Sequence, residues 1–417
     1  MSESIRRTVD PWLPRKPLPV AILLGAVAEA LFLIRVGMPH KMVFDEIYYV
    51  PAARTFLARS RLLNVEHPPL AKELIALGIR LLGDSPLGWR FMSTLAGTAT
   101  VVAVFAIVQL MTGRLRAALI AGVLAILNFT IFVQARIATL DVFMAAFLTV
   151  AIAMIAWAMK SGGWGKWIAA SVLLGAATAC KWAAAPYVAF AALAFVLLKR
   201  GDPRRWPGLR PLPALALLGI VSIATYFATF LPIFHFSADP LTWQGLLPLQ
   251  KYMYEQQVQV LPSHIYQSSW WSWPLLIRPI WYLYEPIEGA QRGILMIGNP
   301  LIMWSGLVAV AACLWGWLKS RSPRLLAAFA LWTASVAIFA IIPKSLGFYY
   351  YYYPSSIFLV IAIAAAFDHW RDRLGRWDTG FTLAALVLAL YFFPALSALP
   401  LDGPKAFHHW TWLPSWV

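Results

Sequence analysis

The chain has 417 residues, of which 61% are hydrophobic and only 12% charged, with a formal net charge of +16; its mean hydropathy is +0.69. This balance excludes an ordinary soluble domain and places the chain in a bilayer. Nucleic-acid binding is excluded as well, because the basic residues gather in alternate loops between apolar runs.

Apolar runs of about 17–25 residues, the length a hydrocarbon core requires, lie near 17–36, 91–111, 117–134, 140–159, 167–183, 184–198, 211–233, 296–318, 325–342, 354–367 and 379–397. They predict an all-α integral membrane protein of about eleven spans, forming a single domain over 1–417. Taking the N-terminus as cytoplasmic puts Arg6, Arg7, Arg15 and Lys16 inside, followed by Arg114 and Arg116, Lys160 and Lys166, Lys199 to Arg210, Lys319 to Arg324, and Arg371 to Arg376. Every inner loop then obeys the positive-inside bias, and the C-terminus lies outside. Ala28-Glu29-Ala30 follows a basic leader, but the apolar run continues through 31–34, so the first span is read as retained. Glu29 receives no role. Cys180 and Cys313 fall in different spans, which offers neither a disulfide nor a metal cluster.

Two outer segments, 37–90 and 234–295, are too long to be simple connectors, and loops of that length carry function or structure of their own. Within the first, 48–60 and 69–82 are helix-compatible, the second beginning at a proline. The later segment is rich in Trp and Tyr, including Trp270, Trp271, Trp273 and Trp281, which suits the membrane surface.

Chemistry concentrates in the outer segments and at the outer helix ends. Asp45 and Glu46 stand side by side just beyond the first span, among Phe44, Tyr48 and Tyr49. Adjacent helical side chains diverge by about 100°, so one acid acts while the other orients it. A carboxylate shielded by aromatics has a raised proton affinity and accepts a proton from an attacking alcohol. His67-Pro68-Pro69 forms a stiff turn that aims Lys72, a cation suited to phosphate, although a snorkelling lysine or a structural histidine is the plainer reading of either alone. Arg136 and Asp141 lie at the junction of the third and fourth spans, either braced as an ion pair, or binding a phosphate, or both. Lys181 and Lys344 sit at further outer helix ends, and together these cations would surround one anionic headgroup.

The ordered blocks Phe44-Asp45-Glu46, His67 to Lys72, Gly88-Trp89-Arg90-Phe91, Ala135 to Asp141, Cys180-Lys181-Trp182, His264 to Ser268, Trp271 to Pro274, Arg278-Pro279, Gly298-Asn299-Pro300 and Phe348-Tyr349-Tyr350 resemble the protein O-mannosyltransferases. A lone Asp-Glu or His-Pro-Pro is weak, whereas this succession of blocks is specific. The resemblance implies the GT-C glycosyltransferase fold and inverting transfer of mannose from a polyprenyl- or dolichyl-phosphate carrier to Ser or Thr hydroxyls of secreted or membrane proteins. It makes Asp45 and Glu46 the catalytic pair, with Glu46 supporting, and gives the carrier phosphate to Arg136 and Lys181, with Asp141 organising Arg136. Lys72, His67 and Lys344 join the donor side. His264, Trp271, Trp273 and Tyr349 join the acceptor and sugar cleft.

Two departures stand out. The later outer segment leaves no room for the lumenal insert of eukaryotic members, so the chain is similar to compact bacterial ones in an inner membrane. Ala71 stands where the family commonly has glycine, which leaves Lys72 in register. A phosphate site already supplied with Arg and Lys does not require a divalent metal. The bilayer and the protein translocon complete the expected partners. A related lipid-phosphate-sugar transferase acting on lipid A, another lipid or a glycan would use the same groups. A transporter or flippase would instead show inverted halves or broken spans.

Overall fold

The structure, a computed structural model, describes residues 16–342 and 346–417. Arg6, Arg7, Arg15 and Lys344, all named above, lie outside the described residues.

Helix α1 (Pro17–Leu33) opens at a proline, where the missing N–H would be unpaired anyway. The first outer segment then holds α2 (Glu46–Leu57) and α3 (Leu70–Leu82), close to the expected ranges. Helix α4 (Pro86–Thr112) starts at Ser85, whose side chain accepts from the Gly88 N–H, and stops at Gly113 with φ +70°. The third expected span is broken. Asn128 turns its side-chain oxygen onto the Thr130 N–H, ending α5 (Leu115–Ile126) and starting the short α6 (Phe129–Gln134). Next come α7 (Leu140–Ser161), α8 (Trp164–Cys180), α9 (Ala185–Gly201), α10 (Pro211–Ala228) and α11 (Leu246–Gln257). Helices α8 and α10 approach closely at Gly175, where a Cβ would collide with the Ser222 carbonyl.

The second long outer segment contains a hairpin that periodicity did not reveal. Strand β1 (Ile280–Ile287) turns through Glu288 (φ +51°) and Gly289 (φ +74°) into the antiparallel β2 (Ala290–Met296). Positive φ at both turn residues is the type I′ geometry that matches the strand twist. Four more long elements follow: α12 (Pro300–Ser320), α13 (Pro323–Ile341), α14 (Tyr353–His369) and, after the short α15 (Arg371–Leu374), α16 (Trp377–Leu396). A two-residue β3 (Pro400–Leu401) then pairs with β2 to complete a three-stranded sheet.

Among the described residues, eight helices are long and apolar enough to cross a membrane. The other three expected spans fall on α1, on the broken α5–α6 pair and on α8, all shorter, so the count of eleven is not established. The apolar windows of the eight long helices differ sharply in burial, 83% for the α14 span against 17% for the α9 span. Helix α14 is thus the central post, while α9 presents most of its surface outward.

Candidate active site

Arg90, wholly buried on α4, organises the outer loop before α2. Its Nη1 donates to the carbonyls of Val36, Met38 and Pro39 at 3.0, 3.1 and 3.2 Å, and its Nη2 to that of Lys41 at 2.8 Å. Nε and Nη2 also grip the two oxygens of Glu46, each at 2.8 Å. Glu46, equally buried, accepts further from the N–H groups of Val43 and Ala138 at 2.9 and 2.8 Å. Every lone-pair direction of this carboxylate is therefore occupied. Glu46 braces the loop.

Asp45 has the opposite environment. It remains partly accessible, and among the described residues its side chain accepts from the Tyr49 hydroxyl at 3.4 Å. Dense packing pushes its pKa up to about 6; Lys181 pulls the value down and Asp141 pushes it up. Phe44, just before it, adopts φ +50°, an outlier for a bulky residue. Its ring stacks on Tyr282 at 3.9 Å and meets Tyr350 edge-on at 5.8 Å.

Lys181, immediately after α8, donates to both oxygens of Asp141 at 2.9 Å. Its ammonium lies 5.0 Å over the Tyr350 ring and 4.9 Å over the Tyr351 ring. Asp141 therefore organises Lys181, and the expected Asp141–Arg136 pairing does not form. Arg136 instead gives Nη1 to the carbonyls of Phe32 and Ile34 and rests on Phe132 at 4.9 Å. It satisfies carbonyls at the end of α1 that the helix leaves unpaired.

Lys181 also borders a cavity of about 680 Å³ lined by Trp182, Tyr226, Gln250, Tyr254, Gln257, Phe339 and Tyr351, among other residues of α9 to α11 and α13. Most of that lining is apolar. Its polar edge is braced: the Trp182 indole donates to the Tyr226 hydroxyl at 2.9 Å, and that hydroxyl donates to Gln250 at 2.5 Å. Gln257 Nε2 donates to the Glu66 carbonyl at 2.6 Å and lies 3.0 Å from His67 Nδ1, tying α11 to the first outer loop. His67 also packs edge-on against Tyr49.

The remaining expected residues scatter. Lys72 is buried and donates to the carbonyls of Leu63, Asn64 and His67 at 3.3, 2.7 and 2.8 Å, so it clamps the turn and is not presented to a phosphate. Trp273 is buried, bonded to Ser268 Oγ at 2.9 Å and packed on Phe339 and Tyr351 behind the cavity wall. Tyr349 lies buried in the core against Gly298 and does not line the cavity. Trp271 is 58% exposed. His264, also exposed, packs edge-on against Phe348 at 5.3 Å, and Phe348 stacks on Tyr350.

Sequence reasoning gave Arg90, Tyr350, Tyr351 and Tyr282 no individual role at the site and read Tyr49 only as part of the aromatic shield around Asp45. Arg90 carried a signal, an arginine at the edge of an apolar run. The tyrosine run carried another, but chain position alone does not divide its members between core and site.

Residues 66–230 match the family model described as dolichyl-phosphate-mannose-protein mannosyltransferase. Residues 242–416 match the C-terminal four-span region of protein-O-mannosyltransferase. A Mycobacterium tuberculosis polyprenol-phosphate-mannose–protein mannosyltransferase is 27% identical, covering 94% of this chain and 88% of its own. The S. cerevisiae Pmt1-Pmt2 complex bound to the sugar donor superposes with a TM-score of 0.78 at 12% identity, covering 97% of this chain and 93% of that one. ArnT from Cupriavidus metallidurans bound to undecaprenyl phosphate gives 0.62 at 17% identity, over 90% of this chain and 64% of that one. These likenesses confirm the GT-C architecture in a multi-pass membrane protein, and the two adjoining family matches establish that the chain belongs to the protein O-mannosyltransferase family.

Proposed function

We propose that the protein transfers mannose from a polyprenyl-phosphate carrier to Ser or Thr hydroxyls of proteins, on the extracytoplasmic face of a bacterial inner membrane, with its N-terminus cytoplasmic and its C-terminus outside. The observation that carries this reading is the position of Lys181, shared between the wall of an apolar cavity and the charge cluster that holds Asp45. An apolar cavity suits a polyprenyl chain, and an ammonium at its polar end suits the phosphate.

The chemistry follows from which groups are free. Asp45 takes the proton of the acceptor hydroxyl as its oxygen bonds to the anomeric carbon, and the bond from that carbon to the phosphate oxygen breaks. Negative charge grows on the departing polyprenyl phosphate, where Lys181, kept in place by Asp141, stabilises it. A double displacement would need a second carboxylate as nucleophile. Glu46 is occupied by Arg90 and Asp141 by Lys181, which favours a single inverting step. His264, exposed and packed edge-on against Phe348, and the exposed Trp271 suit contact with the acceptor polypeptide. Among the described cations of the expected headgroup cage, Lys72 and Arg136 are engaged with backbone carbonyls, which supports Lys181 as the phosphate ligand.

Purified protein in nanodiscs, given polyprenyl-phosphate mannose and a Ser/Thr peptide, tests the reading. Formation of an α-mannosyl peptide is the expected result. Transfer only to a lipid or glycan acceptor would overturn the choice of acceptor, and a β-linked product would overturn inversion.

A further inference from the structure

Tyr282 belongs to the hairpin but does not follow its alternation. Pairing runs from Trp281 with Leu295 directly to Leu283 with Ile294, so Tyr282 falls in a bulge. Bulges re-aim a side chain and recur beside active sites. Here the ring is delivered onto Phe44, with centroids 3.9 Å apart and planes within 16°. The Tyr282 hydroxyl accepts from Gln134 at 3.3 Å, and Gln134 accepts from Thr139 at 2.6 Å, two residues before Asp141. Lys41–Glu285 at 2.5 Å and His40–Glu288 at 3.1 Å fasten the hairpin to the same loop.

Phe44 needs this support. Its φ of +50° is a conformation that a bulky residue keeps only when its surroundings impose it. A return to ordinary φ would swing the next residue, Asp45, away from Tyr49 and from the charge of Lys181. We propose that Tyr282 is a positioning residue for Asp45, its ring holding Phe44 in the left-handed conformation that aims the carboxylate. The inference rests on the reading of Asp45 as the acceptor-side base.

The test compares wild type with Phe44→Leu, Tyr282→Leu, the double variant and Tyr282→Phe, all as full-length protein. In mannosyl transfer, each leucine variant is expected to lower kcat about tenfold with donor KM within about twofold, and the double variant to be no slower than the slower single, since both remove one contact. Tyr282→Phe keeps the ring and is expected to retain about half the activity or more. Multiplying losses in the double, an unchanged kcat in Tyr282→Leu, or equal loss in Tyr282→Phe would overturn the proposal. Tyr282→Met, of similar volume without a planar face, carries the same test should the leucine variant not fold.

A second measurement needs no donor. The infrared carboxyl band that Asp45→Asn removes is titrated in each variant, with Lys181, Asp141, Glu66 and Tyr49 as the groups facing Asp45. The wild-type midpoint is expected at about 6, and both leucine variants are expected to move it equally while Tyr282→Phe does not. Unmoved midpoints in the leucine variants would overturn the inference. Midpoints that move in a protein whose wild type transfers no mannose would support the inference and overturn only the functional reading.

Discussion

Asp45 and Glu46 are neighbours in the chain and opposites in environment. Glu46 is an internal anion satisfied by Arg90 and two backbone N–H groups, so removing one partner leaves the other buried and unpaired. Arg90→Ala is expected to destabilise the fold by about 3–5 kcal/mol, seen as a lowered thermal midpoint in detergent; an unchanged midpoint would refute the brace. Asp45 stays partly accessible, with its pKa raised to about 6. A base must be ionised to act, so kcat/KM is expected to fall about tenfold per pH unit below the pKa and to level off above it. A profile still falling with acidity well above pH 7, or flat down to pH 4, would contradict that assignment. The residue types of this pair and its place just beyond the first apolar run were legible in the sequence. Which acid was free was not, because that depends on Arg90, 44 residues further along the chain.

At the scale of elements, the clamps decide which cations remain for the donor. Lys72 closes the turn before α3 through three carbonyls, whereas Lys181 faces the cavity. Lys181→Met is therefore expected to raise donor KM or lower kcat by at least about tenfold. Lys72→Met is expected to lower thermal stability by about 1–3 kcal/mol and leave donor KM within about twofold. The reverse ranking in steady-state kinetics would return Lys72 to the phosphate. Helices α2 and α3 were legible from proline and apolar spacing. The hairpin was not, since Glu288-Gly289 is its main local mark and the flanking Trp and Tyr suit a membrane surface equally well. The break at Asn128 was hidden for a related reason: one polar residue in an apolar run gives no warning that its side chain caps a new helix.

Across the whole molecule, the helices deliver two unlike surfaces to one place. The outer loop, Arg90 and the hairpin fix Asp45, while α8 to α11 and α13 enclose the apolar cavity. Lys181 joins the two; the ordered sequence blocks named Asp45 and Lys181 but gave no sign of the cavity. The pairing of Asp141 with Arg136 is where block order misleads, since Lys181 takes Asp141 while the Arg136 guanidinium holds carbonyls at the end of α1. The most direct test measures mannose transfer from polyprenyl-phosphate mannose to a Ser/Thr peptide by wild type, Asp45→Asn and Lys181→Met, alongside carrier binding without peptide. The account predicts a loss of about 10²-fold or more in kcat for Asp45→Asn with carrier binding intact, and weakened carrier binding for Lys181→Met. Full transfer by Asp45→Asn, or unaltered binding and turnover in Lys181→Met, would contradict it.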